Sequence, residues 1–176
     1  MIRRSSLLLT PIVVLVLAGC GSSGSSSSST AASTSTSSSS AASSAPAASS
    51  GVTISAKTVS GVGTVLVNAQ GRTLYIFEPD NATKVTCSGG CQSIWPPVAL
   101  TGSEKAVASG AVKQSLLGSD PNPAGGNVVT YHGWPLYTYV QDAAPGQDTG
   151  QGINSSGGLW YVIAPSGAVV KTGGAS

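Results

Sequence analysis

Hydrophobic and polar positions fall into three regimes along the chain. Residues 7–17 form one apolar run, interrupted only by Thr10, behind Arg3 and Arg4. Residues 21–50 are almost wholly Ser, Ala, Thr and Gly, with no apolar periodicity and no side chain large enough to bury. From Val52 onward, short β-prone runs alternate with clusters of Gly, Pro, Asn and Ser, the pattern of an all-β domain. Val65-Leu66-Val67 and Thr73-Leu74-Tyr75-Ile76-Phe77 flank Asn68-Ala69-Gln70-Gly71 and predict a hairpin. Alternation then places Leu74 and Ile76 on one face and Tyr75 and Phe77 on the other. Both faces are large and apolar, so neither is expected to be freely solvated.

The figure recurs. Val128-Val129-Thr130-Tyr131, the turn His132-Gly133, and Trp134-Pro135-Leu136-Tyr137-Thr138-Tyr139 predict a second hairpin with a tighter turn. Superimposing the two matches Gly71 with Gly133, Leu74 with Leu136, Tyr75 with Tyr137, Phe77 with Tyr139 and Asp80 with Asp142, at a constant offset of 62 residues. Two related halves packing into one pseudo-symmetric domain is the simplest account. The expected fold is all-β: a compact antiparallel sheet built from two hairpin repeats, at about 63–100 and 127–170, with a short helical turn near 88–95. A last hairpin, at 159–163 and 168–170 across Pro165-Ser166-Gly167, is expected to close the sheet.

The N-terminal regimes describe an address. A charged start and an apolar core too short to span a bilayer are features of a signal peptide. The run ends in Leu17-Ala18-Gly19-Cys20, which resembles the bacterial lipobox. That resemblance implies cleavage before Cys20, a diacylglycerol on its thiol and anchoring by two or three acyl chains such as palmitate. Residues 1–19 are then the leader, and residues 20–50 the lipidated cysteine with a disordered tether reaching roughly 30 Å. Residues 51–176 are the β domain. The protein is expected outside the cytoplasm, on the plasma membrane or, in a cell with two membranes, on the outer one.

Charge narrows the partners. Only 8% of the residues are charged, against roughly a quarter in an ordinary soluble protein. Of eight Lys and Arg, Arg3 and Arg4 belong to the leader, which leaves six against six acidic residues. A near-neutral chain without a basic run does not read as nucleic-acid-binding. The partners expected are the membrane, through the lipid, and an envelope protein or small ligand.

Several residues suggest chemistry. With Cys20 lipidated, Cys87 and Cys91 are an even pair in an oxidising compartment, which favours a disulfide. Ser88 is placed to cap a short helix over 89–95, ended by Pro96 and Pro97. The competing reading is a redox or metal-handling pair, although Cys-x-x-x-Cys in a β context differs from the usual dithiol and one His supplies few further ligands. Gln92 stands where c-type haem attachment needs a histidine. Asp80 and Asp142 end equivalent strands, where a carboxylate commonly accepts backbone N–H bonds. An alternative is Ca²⁺ ligation with Glu78 or Asp148, and a further one general acid–base work as a carboxylate pair. His132, at a hairpin tip, is expected to be solvated. Gly118-Ser119-Asp120 lacks the strand–turn–helix context of a nucleophile. Trp95, Trp134 and Trp160 are either core or a surface that stacks sugars or peptides. No cofactor and no catalytic constellation is recognised.

Tyr75-Ile76-Phe77-Glu78-Pro79-Asp80 and Tyr137-Thr138-Tyr139-Val140-Gln141-Asp142 resemble the Tyr-x-(Phe/Trp/Tyr)-x-x-Asp motif of a bacterial lipoprotein family, the secreted repeat of unknown function. The similarity extends to Cys87-Ser88-Gly89-Gly90-Cys91 with Trp95-Pro96-Pro97, to Pro145-Gly146-Gln147 and to Gly157-Gly158-Leu159-Trp160-Tyr161. It covers nearly all of residues 63–170. It implies a cell-surface or periplasmic lipoprotein domain and carries no catalytic residue with it.

Overall fold

A computed structural model describes residues 51–80 and 84–173. The leader, Cys20, the tether and Asn81-Ala82 lie outside the described residues.

The chain runs β1 (Gly51–Val59), β2 (Gly63–Asn68), β3 (Tyr75–Phe77), α1 (Gly90–Ile94), β4 (Ala99–Leu100) and β5 (Lys105–Ala108). A 3₁₀ turn (Gln114–Leu116) leads into β6 (Leu117–Pro121), β7 (Asn127–Tyr131), β8 (Trp134–Pro135), β9 (Asn154–Ser155), β10 (Gly158–Ile163) and β11 (Val169–Val170). The fold is all-β, as the patterning predicts, with α1 the short helical turn. The strands are divided among three small sheets, ordered β2-β1-β5, β11-β10-β3 with β9 on β10, and β4-β7-β6 with β8 on β7. All named pairings are antiparallel except β1 with β5.

The repeats superimpose in hydrogen bonding as well as in sequence. Leu74 N–H donates to Leu66 O and Leu136 N–H to Val129 O, both at 2.9 Å. Glu78 N–H donates to Leu159 O at 2.9 Å, and Val140 N–H to Ile94 O at 3.1 Å. Between the halves, Tyr75 and Tyr137 form an antiparallel bridge, N to O 2.9 Å one way and 3.0 Å the other. A pseudo-twofold axis therefore passes between these two tyrosines.

That bridge puts each motif strand in the interior, so both its faces are covered. Leu74, Ile76 and Leu136 enter an aliphatic cluster with Ile54, Leu66 and Ile163. Tyr75, Phe77, Tyr137 and Tyr139 enter an aromatic cluster with Trp95 and Trp160. The second hairpin turns on His132 (φ 51°) and Gly133 (φ 83°), the two consecutive positive-φ residues of a tight hairpin turn whose twist matches the strands. The last hairpin closes as expected, β10 on β11 with Ala164 N–H on Ala168 O at 2.9 Å.

One local expectation is corrected. Ser88 does not cap α1 through its hydroxyl; Gly89, at φ 55°, is the N-cap, and Cys91 N–H takes the Ser88 carbonyl at 3.1 Å. A positive φ favours glycine, so the cap forms one residue later than the serine signal suggests.

Candidate functional site

The motif tyrosines and aspartates meet, but across the repeats. Tyr75 donates its phenolic hydrogen to Asp142 Oδ2 at 2.8 Å, and Tyr137 donates to Asp80 Oδ2 at 2.5 Å. The second oxygen of each carboxylate is held by a threonine. Asp80 Oδ1 accepts from Thr86 N–H and Oγ1, both at 2.6 Å. Asp142 Oδ1 accepts from Thr149 N–H at 3.0 Å and Oγ1 at 2.6 Å. Asp80 and Asp142 are 2% and 1% exposed. A buried carboxylate is tolerated where donors replace its hydration, and here each has three.

The phenols respond to the same surroundings. Burial pushes Tyr75 far above its ordinary range, with the charge of Asp142 and the hydrogen bond to it acting in the same direction. Tyr137 moves likewise, through burial, then the hydrogen bond and charge of Asp80. Both therefore remain hydrogen-bond donors to their aspartates even at alkaline pH, where a free phenol would ionise.

The rings form a column that crosses the pseudo-twofold axis between its two tryptophans. Phe77 stacks on Trp160 (4.3 Å, 20°), Trp160 on Trp95 (3.9 Å, 2°), and Trp95 on Tyr139 (4.1 Å, 17°). Tyr75 meets Trp95 edge-on at 5.4 Å and Tyr137 meets Trp160 edge-on at 5.2 Å. The indole N–H groups converge on one residue, Trp95 on Ser155 Oγ at 3.3 Å and Trp160 on Ser155 O at 3.0 Å. Each repeat thus supplies a tyrosine whose carboxylate comes from the other half, while the indole that its ring meets edge-on comes from its own.

This arrangement corrects the grouping of Trp95, Trp134 and Trp160 as one ligand surface. Trp95 and Trp160 are 0% exposed, because the repeat symmetry draws both into the column. Trp134 is half-buried against the aliphatic cluster on the other side of the motif strands. Two surface grooves, of about 450 and 410 Å³, are lined by other residues: Leu100, Lys105, Gln114 and Leu117 in the first, Val52, Asn68, Pro97 and Thr138 in the second.

The remaining candidates are dispersed. Cys87 and Cys91 are joined as a disulfide with Cα atoms 5.4 Å apart, and Cys87 packs in the aromatic cluster immediately after Thr86. Glu78 is exposed and pairs with Lys171 at 2.7 Å, whereas Asp80 is buried. Asp148 lies near Asp142, and burial, then that neighbouring charge, raises its pKa. Among the described residues no three His, Cys, Asp or Glu side chains cluster. His132 is exposed, with Nδ1 3.1 Å from Gly167 O. Thr86, Thr149 and Ser155 escaped the sequence reading. Only a threonine six or seven residues after each aspartate hinted at the first two.

No helix among the described residues is long and apolar enough to cross a membrane. No curated protein and no solved structure gives a significant match. Comparison with family profiles matches residues 58–99 and 121–164, in two separate segments, to the secreted repeat of unknown function. These segments contain the two hairpins and both Tyr–Asp motifs, and the chain belongs to that family, carrying its repeat twice in an extracytoplasmic module.

Proposed function

We propose that this protein is a lipid-anchored lipoprotein whose domain is a non-enzymatic binding or structural module of the bacterial cell envelope. The observation that carries the reading is Leu17-Ala18-Gly19-Cys20, set behind a charged apolar leader and ahead of a domain of a secreted family. Residues 1–19 are the leader, Cys20 bears the lipid, and residues 21–50 space the domain from the membrane. The geometry supports the non-enzymatic part. Asp80 and Asp142, the best-placed acid–base groups, are buried and saturated by Thr86, Thr149 and the two tyrosines, and join the halves instead of facing solvent.

The test is fractionation of bacteria expressing the full chain, followed by mass measurement of the N-terminal peptide. The wild type is expected in the membrane fraction with an acylated Cys20, and Cys20→Ala is expected to lose the acyl mass and the membrane retention that depends on it. An unmodified Cys20, or a wild-type protein wholly in the soluble fraction, overturns the reading.

A further inference from the structure

The column and its flanking phenols have a geometry that joining two repeats does not require. Trp95 and Trp160 lie parallel at 3.9 Å, close enough for charge to be shared between indoles. Each indole of the pair touches one phenol edge, and each phenol is already hydrogen-bonded to a carboxylate. A neutral acceptor would satisfy a phenol with less desolvation than a buried anion, yet both halves use aspartate. The threonines occupy Oδ1 and leave Oδ2 to face the phenolic proton. Both phenols are protonated at neutral pH, as any tyrosine is, so oxidising either one to a neutral radical requires a proton acceptor, which the hydrogen-bonded carboxylate supplies.

We propose that this core is a radical sink, in which the Trp95–Trp160 pair takes up oxidation and Tyr75 or Tyr137 stores it by proton-coupled transfer to Asp142 or Asp80. A one-electron oxidant, such as a peroxide-derived radical, removes one electron from the indole pair. The adjacent tyrosine returns one electron to the pair, and its phenolic proton crosses the hydrogen bond to the carboxylate. The oxidant is reduced by one electron, the indoles are restored, and a neutral tyrosyl radical stands beside a protonated aspartic acid. One electron from a small organic reductant reverses the sequence, the proton returning from the aspartate to the phenol. The cysteines take no part, and the proposal is independent of the lipid anchor.

Flash photolysis of the mature protein with a photo-oxidised ruthenium polypyridyl complex tests it. A tryptophan radical should appear first and decay into a tyrosyl radical, more slowly in D₂O than in H₂O. Tyr75→Phe with Tyr137→Phe should retain the tryptophan signal and lose the tyrosyl signal, whereas Tyr131→Phe with Tyr161→Phe should retain both. A tyrosyl signal that survives the first pair, a tryptophan radical without a tyrosyl product, or rates equal in the two solvents overturns the proposal. Should the first pair fail to fold, Tyr139→Phe added to the Tyr131/Tyr161 variant decides it: the tyrosyl signal and its solvent isotope effect should persist with only Tyr75 and Tyr137 remaining, and their loss overturns the proposal.

Discussion

Tyr75 donates to Asp142 across 67 residues of chain, from one repeat into the other. A hydrogen bond to a charged group contributes about 1.5–3 kcal/mol. Tyr75→Phe removes that donor and leaves the rings in place, so urea unfolding should show a loss in that range. Tyr137→Phe should fall in the same range but cost less than Tyr75→Phe, because the Tyr75 hydroxyl also accepts the buried N–H of Gly150 at 3.2 Å, which the substitution leaves unpaired. Asp142→Ala should cost more, since it strands the Tyr75 hydroxyl and both Thr149 donors at once. Losses below about 0.5 kcal/mol for both tyrosines, the scale of ordinary surface changes, would sink this account of the repeat interface.

The same two phenols set an alkaline limit. Their folded pKa values lie above the unfolded value, through burial first and the facing carboxylates next. A group raised in this way contributes stability that is complete below its unfolded pKa, about 10 for a phenol. Above that pH the unfolded state sheds its protons while the folded state keeps them, so unfolding stability falls by about 1.4 kcal/mol per pH unit for each such tyrosine. Denaturation curves measured from neutral pH upward should turn down near that value. In Tyr75→Phe with Tyr137→Phe the downturn should be shallower; an unchanged slope contradicts the assignment.

The repeat itself was legible because five matching positions recur at one offset, and alternation alone assigned Leu74 and Ile76 to one face and Tyr75 and Phe77 to the other. The exchange of partners was not. A tyrosine bonded to its own aspartate and one bonded to its counterpart's have identical spacings, and only the bridge between Tyr75 and Tyr137 decides between them. Strand β1 was missed because Ser55, Ala56, Lys57 and Thr58 give little hydrophobic contrast between Ile54 and Val59. β5 and β6 are short and partly polar, which weakens the same signal. The tryptophans were ambiguous because burying an indole needs an acceptor for its N–H. Ser155, which supplies both, has no distinguishing neighbours in the sequence.

Gly150 shows how tightly the column is enclosed. A Cβ built there would stand 2.8 Å from the Trp95 ring and 3.0 Å from the Tyr75 ring. Overpacking a filled core costs about 1–3 kcal/mol, and Gly150→Ala is expected to lose that much in thermal or urea unfolding. Gly90→Ala is the control. It lies in α1 with open space around its Cβ position, and a helical alanine is more stable than glycine by roughly 0.5–1 kcal/mol. Equal effects at the two sites would contradict the packing described.

Cys87 follows Thr86, whose N–H and hydroxyl hold Asp80, and Cys91 accepts the N–H of Trp95 through its backbone carbonyl. The disulfide therefore fixes the segment that delivers both a carboxylate partner and a ring of the column. A loop closed over a separation of four residues contributes about 2 kcal/mol by chain entropy. Cys87→Ala with Cys91→Ala should lower global stability by that amount, and reductant should lower it only in the wild type. The loss should also be unevenly distributed: the Asp142 side has Thr149 but no disulfide. Amide exchange at Thr86 should accelerate more than at Thr149 in the double variant. Equal acceleration at the two threonines would mean that the bond braces the domain as a whole and does not position Thr86 against Asp80.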